Sequence, residues 1–328
     1  MLRLEDDWVW DSWVADDGER YHLYFLKAPR SLGDPSLRHA RATVGHAVST
    51  DLRDWRLLPD ALGPRAGAWD DLAVWTGSVV RGEDRRWRMF YTAINTRGHG
   101  LRDQRIGVVE SDDLTSWERV ATAEALGVDT RWYASLPEDD TASETWRDPF
   151  VVRDAAGDGW HMLVAARARG AARLDDGVIA HAWSPDLVHW EARGPVCSPG
   201  AGFGQLEVAQ VRVIDGQHVL VFTCHPEEQS TVRREEYGDF CTWSMTGDSL
   251  LGPWDVSRAA PFRAEPELFA APLVQQRDGS WAFVGFRNLE PAGILSFEII
   301  DPVTVRLVDG ALVADASYVP NPPHPVTG

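Results

Sequence analysis

Short apolar runs of about five residues recur along the chain, each bounded by polar turns, and no stretch of useful length follows a helical 3.6-residue rhythm. Five runs form one series: Tyr21 to Phe25, Trp87 to Tyr91, Trp160 to Val164, His218 to Phe222 and Trp281 to Gly285. A turn carrying Gly, Asp or both precedes each: Asp17-Gly18, Gly82-Glu83-Asp84, Gly157-Asp158-Gly159, Asp215-Gly216 and Asp278-Gly279. A second series of apolar runs lies just upstream, at Val9 to Val14, Trp75 to Val80, Arg147 to Val152, Leu206 to Val211 and Phe269 to Val274. The chain therefore predicts a strand–turn–strand unit written five times.

A third repeat extends the unit. Asp-Leu-x-x-Trp occurs at Asp51 to Trp55, Asp113 to Trp117 and Asp186 to Trp190, each time after a short strand and a Ser, with a degraded copy at Ser249 to Trp254. The four tryptophans are 62, 73 and 64 residues apart, which leaves room for about five units in 328 residues. Each unit reads strand, turn, strand, loop, strand, Trp-bearing turn, outer strand. A β-sandwich does not explain five strand pairs in one order. The pattern predicts an all-β fold, a single five-bladed β-propeller with four-stranded antiparallel blades. The blades fall at roughly 8–60, 72–122, 146–195, 205–258 and 267–310.

Composition narrows the partners. Lys and Arg total 32 against 50 Asp and Glu, a formal charge of −18, which repels phosphate backbones and anionic membranes. No nucleic acid and no membrane are expected. Lys27 is the only lysine, so Schiff-base and P-loop chemistry have almost no candidate residue. Cys197, Cys224 and Cys241 form neither a disulfide framework nor a metal knuckle. No metal and no cofactor are implied. The first residues lack a basic start followed by an apolar stretch, and a cytoplasmic setting is expected. The sixteen tryptophans suggest a repeated packing motif or a carbohydrate-facing surface.

In a propeller the first strand of each blade lines the central channel. Four of these strands carry an unusual polar group: Asp11 inside Trp8-Val9-Trp10-Asp11-Ser12-Trp13, Ser78 in Trp75-Thr76-Gly77-Ser78, Arg147-Asp148-Pro149, and Glu207 in Gln205-Leu206-Glu207. A buried carboxylate costs several kcal/mol unless it is paired or used. Asp11, Asp148 and Glu207 thus converge from blades one, three and four. Two carboxyls across a scissile bond are the minimum for glycoside hydrolysis, and a third can orient a hydroxyl. Arg147 is expected to hold one carboxylate ionised. Trp8, Trp10, Trp13, Trp75 and Trp146 are candidate apolar walls for a sugar.

These segments resemble the glycoside hydrolases of families 32 and 68, fructan-active five-bladed propellers. Gly45 to Pro59 is similar to the first-blade signature of family 32, Trp75-Thr76-Gly77-Ser78 to its Trp-Ser-Gly-Ser element, and Arg147-Asp148-Pro149 to its Arg-Asp-Pro element. Trp8 to Trp13 is closer to the nucleophile motif of family 68. The resemblance implies Asp11 as nucleophile, Asp148 as transition-state stabiliser and Glu207 as acid/base. It further implies Ser78 bonded to the nucleophile and Arg147 on substrate. Where family 32 has Glu-Cys-Pro, this chain has Glu207-Val208-Ala209. The implied activity is that of a retaining β-fructofuranosidase, with fructosyl transfer as a second outcome and a small carbohydrate as the partner. Two other readings stay open: an inverting family 43-like enzyme, in which His225 is a candidate metal ligand, and a non-catalytic sugar-binding propeller. Glu265 and Glu267 are reserve candidates for the acid.

Overall fold

The computed structural model describes residues 1–96, 103–120, 126–135, 145–155, 157, 159–263, 268–289 and 295–315. Five four-stranded antiparallel sheets follow one another along the chain, as the repeats predict. Blade 1 comprises Asp7–Asp16, Tyr21–Pro29, Thr43–Ser49 and Arg56–Leu62. Blade 2 comprises Ala73–Arg81, Trp87–Ile94, Gln104–Ser111 and Glu118–Arg119. Blade 3 comprises Trp146–Arg153, Trp160–Arg167, Gly177–Ser184 and Glu191–Arg193. Blade 4 comprises Glu207–Ile214, Gln217–Thr223, Thr242–Gly247 and Ala260–Pro261. Blade 5 comprises Leu273–Gln275, Trp281–Phe283, Val303–Val308 and Ala311–Ala314, and a two-stranded ribbon, Phe286–Leu289 with Leu295–Ile299, rises from its middle.

The Asp-Leu-x-x-Trp repeat is the turn between the third and fourth strands. In blade 3, Asp186 Oδ1 accepts from the amides of Val188 and His189 at 2.9 and 2.8 Å, and Ser184 Oγ accepts from Leu187 N at 2.8 Å. Asp51 and Asp113 do the same in blades 1 and 2. These bonds favour the ionised form and hold all three carboxyls below the usual carboxylate range despite partial burial. The turn sets Leu52, Leu114 and Leu187 at φ of 64°, 64° and 66°, and each leucine is buried in the core. Burial of the side chain offsets the strain of a left-handed leucine. Gly252-Pro253 replaces the motif in blade 4, where Trp254 is buried nonetheless.

Helix is scarce, although not absent as the sequence pattern suggests: Thr231–Tyr237 forms two turns of α-helix capped by Ser230. Its seven residues are too few for an apolar stripe to register. A second insertion has more effect on the site. Between the second and third strands of blade 1, Asp34 caps a 3₁₀ segment, Pro35–Arg41, that lays Arg38 and His39 over the channel mouth. Blades 1 and 5 meet through Tyr21 Oη, which donates to Gln275 O at 3.3 Å, and through Arg277 on Asp16 at 2.8 Å, so the ring closes. No helix among the described residues is long and apolar enough to cross a membrane.

Candidate active site

Four of the five inner strands break their regular pairing at the same level of the channel. The register shifts between Trp10 and Ser12 in blade 1 and between Trp75 and Gly77 in blade 2. In blade 3 the two residues Asp148 and Pro149 oppose Val164 alone, and in blade 4 Val208 and Ala209 oppose Phe222 alone. Asp148, Val208 and the blade 5 equivalent Ala270 have φ of 62°, 49° and 45°. These are β-bulges, which re-aim a side chain away from the alternation of its strand. They create two stacked rings of residues. Asp11, Thr76, Asp148, Val208 and Ala270 form one; the residues just before them, Trp10, Trp75, Arg147, Glu207 and Phe269, form the other.

Both rings, apart from Ala270, line one cavity of about 370 Å³, together with Arg38, His39, Gln104 and His225. Asp11, Asp148 and Glu207 are therefore brought together, as are Trp10, Trp75 and Arg147. Asp11 Oδ2 accepts a 2.7 Å hydrogen bond from Thr76 Oγ1. Asp148 Oδ2 accepts from Val208 N at 3.3 Å, and Asp148 N donates to Thr92 Oγ1 at 2.9 Å. The Arg147 guanidinium joins the carboxylates. Its Nη2 donates to Glu207 Oε1 and Gln205 Oε1, and its Nε lies 3.7 Å from Asp148 Oδ2.

Ser78 and three of the expected wall tryptophans stand elsewhere. Ser78 does not bond Asp11. The bulge at Thr76 shifts the strand by one, so Thr76 faces the carboxylate and Ser78 Oγ accepts from Val151 N at 3.0 Å in a lower part of the channel. Gly77 is required between them, because a Cβ there would lie 2.1 Å from Phe90 O. Trp13 likewise falls below the bulge at Asp11 and stacks on Tyr24, 6.0 Å between centroids. Trp8 packs on Phe297 and Trp146 on Tyr133, both in the core. Glu265 and Glu267 lie outside the described residues. His225 lines the cavity, but its Nδ1 accepts from Glu227 N, and among the described residues no cluster of His, Cys, Asp and Glu could hold a metal.

Burial is the main force on the charges. It lifts Asp11 to about 6; the Thr76 hydrogen bond opposes that rise, the nearby Glu207 charge adds to it, and Arg38 opposes it. Burial also raises Asp148, against Arg147 and with help from Glu207 and Asp11. His39 is held down to about 3, first by burial and then by Arg38 and Arg147, so its ring is neutral. Burial thus favours a retained proton in the cluster near neutral pH, beside one guanidinium.

The model for the glycosyl hydrolases family 32 N-terminal domain matches residues 13–246. The chain belongs to this family. A levanase of Bacillus sp. (strain L7) is 31% identical over 132 residues, 37% of this chain and 13% of that protein. Beta-fructofuranosidase 1 of Zea mays is 25% identical over 301 residues, 84% of this chain and 42% of that protein. The chain thus spans less than half the length of these curated relatives. Among solved structures, an inulosucrase from Halalkalicoccus jeotgali bound to kestose superposes with a TM-score of 0.75 at 20% identity, covering 98% of this chain and 92% of that one. A sucrose-6-phosphate hydrolase from Lactobacillus gasseri gives 0.66 at 18%, covering 95% and 64%. At those identities the likeness is one of fold. One departure of this family 32 chain from the family motifs bears directly on Asp11: the hydroxyl on it comes from Thr76, where the Trp-Ser-Gly-Ser element has serine.

Proposed function

We propose that this chain is a retaining glycosidase acting on β-fructofuranosides, sucrose or fructo-oligosaccharides. The observation that carries the reading is the convergence of Asp11, Asp148 and Glu207 on one cavity, from three different blades, in a family 32 chain. Asp11 attacks the anomeric carbon while Glu207 gives its proton to the departing glycosidic oxygen, and the C–O bond breaks. In the second step Glu207 takes a proton from water as the water oxygen displaces the Asp11 carboxylate. A sugar hydroxyl in place of that water gives fructosyl transfer.

The reaction requires a proton on Glu207, with Asp11 and Asp148 charged. Sugar hydroxyls donating to Asp148 favour its ionised form and move the proton off it. Arg147, shared between Asp148 and Glu207, is then drawn toward the carboxylate that has gained charge. Trp10 and Trp75 give the cavity flat apolar walls.

Asp11→Asn and Glu207→Gln should each retain the melting temperature and lose several orders of magnitude in turnover of sucrose, inulin or levan. NMR of the first-formed product should show the anomer of the substrate. An inverted product would move the protein to the family 43-like mechanism. Saturable sugar binding with no turnover of any of these substrates would make it a binding propeller.

A further inference from the structure

The channel holds a second cavity, of about 430 Å³, below the carboxylates. Thr76, Asp148 and Val208 border both cavities, so the bulge ring is the floor of one and the ceiling of the other. Four of the five inner strands give this lower cavity a valine: Val14, Val79, Val152 and Val274. Blade 4 gives it Arg212 instead. The Arg212 guanidinium lies over the Phe150 ring, 4.9 Å from its centroid, and its Nε donates to Leu273 O at 3.3 Å. Among the described residues no carboxylate is within ion-pairing distance of it.

Half-buried in this wall, the cation gives up part of its hydration with no counter-ion in return, where valine would fit the pattern of the other blades. Burial alone lowers the guanidinium to about 10, so it is still charged at neutral pH. The other arginines of this mouth are differently placed. Arg277 is paired with Asp16 and Arg153 with Glu83, while Arg81 lies at the exposed rim, 5.2 Å from the Trp87 ring. In a chain of charge −18, a carboxylate was readily available to partner Arg212, and none does.

We propose that the lower cavity is a second ligand site, separate from the carboxylate cluster, for a small monocarboxylate with a flat apolar body. The carboxylate takes the free edge of Arg212, which presents a fork of donors matched to two oxygens. The apolar body lies against the valines and Phe150. Because the site shares its ceiling with Asp148, the ligand sits directly beneath the upper cavity.

Sodium benzoate, titrated calorimetrically into the full chain, tests this, with benzamide as its neutral isostere. Saturable binding of one benzoate is expected, with benzamide at least about tenfold weaker because it cannot pair with the charge. Arg212→Gln should weaken benzoate by about tenfold or more, and Val79→Phe, which fills the cavity from another blade, should abolish binding with Arg212 in place. Melting curves establish that each variant is folded, and either one suffices if the other is not. The proposal is overturned if benzoate does not saturate below about 10 mM. It is also overturned if benzamide binds equally well, or if the affinity survives in a folded variant.

Discussion

Thr76→Val is the sharpest perturbation of the site, because it removes one hydroxyl and keeps the shape of the side chain. The Thr76 hydroxyl is the strongest of the groups opposing the rise of Asp11, which stands at about 6 with the bond in place. The bond is 2.7 Å long and Thr76 is 2% exposed, so water does not readily replace it. A hydrogen bond to a charged group contributes about 1.5–3 kcal/mol, and 1.36 kcal/mol corresponds to one pKa unit. Losing the bond disfavours the ionised form, so the Asp11 pKa must go up, to roughly 7–8.

The assay is the pH profile of kcat/KM on sucrose or inulin, whose acid limb reports ionisation of the nucleophile in the free enzyme. The wild-type limb is expected near 6. In the variant it should move up by at least about one pH unit, so that activity at pH 6 falls roughly fivefold or more while activity above pH 8 falls less. Thr76→Ser should restore the wild-type limb. A carboxyl ¹³C titration of Asp11 gives the same answer without turnover. If kcat/KM drops by one factor at every pH and the limb stays in place, the hydroxyl does not tune Asp11 and the reasoning fails.

Other expectations follow from the same structure. His46 and His181 are held by burial at about 3 and about 4, each packed against a second histidine, so they are neutral in the fold and protonate near 6.5 when unfolded. Their stabilising contribution is complete above pH 6.5 and is lost as pH falls, at up to about 1.4 kcal/mol per pH unit for each. The melting temperature should fall from pH 7 to pH 5, and His46→Gln should flatten that dependence; an unchanged slope would refute the assignment. Asp186→Ala removes the acceptor of two turn amides and should cost about 1–2 kcal/mol, a drop of several degrees in Tm with no change in kcat. A neutral result would mean that Leu187 and Trp190 hold the turn unaided.

The blades were legible because three repeats are written in side chains whose roles are local. A Gly-Asp turn, an apolar run and an Asp-Leu-x-x-Trp turn each need only their own neighbours to form, so they survive as patterns. The carboxylates were legible for a different reason: Asp11, Asp148 and Glu207 interrupt strands that are otherwise apolar. Arg38 and His39 were not, since nothing in Asp34 to Arg41 says that a 3₁₀ insertion from one hairpin will fold over the axis. The same holds for Gln104, which reaches the site from the third strand of blade 2 and accepts from Trp146 N at 3.0 Å.

Ser78 and Trp13 show where alternation fails. A strand of period two assigns faces by counting, and one bulge reverses the count for every residue beyond it. Trp10 and Trp13 flank the bulge at Asp11 and divide between the upper and lower cavities, and Ser78, beyond the bulge at Thr76, falls to the lower one. The residues at that level differ in chemistry: aspartate in blades 1 and 3, threonine, valine and alanine in the others. What the blades share there is geometry, an inner strand that bends as it meets its neighbours around the axis. Carboxylates stand on two of these five positions and on the residue just before a third, Glu207, while Thr76, Val208 and Ala270 are small or hydroxylic. A catalytic cluster assembled in this way depends on backbone irregularities that propensity opposes, such as Asp148 at φ 62°. Insertion or deletion of one residue in an inner strand should therefore abolish turnover while a cooperative melting transition remains, and an active insertion variant would refute this dependence.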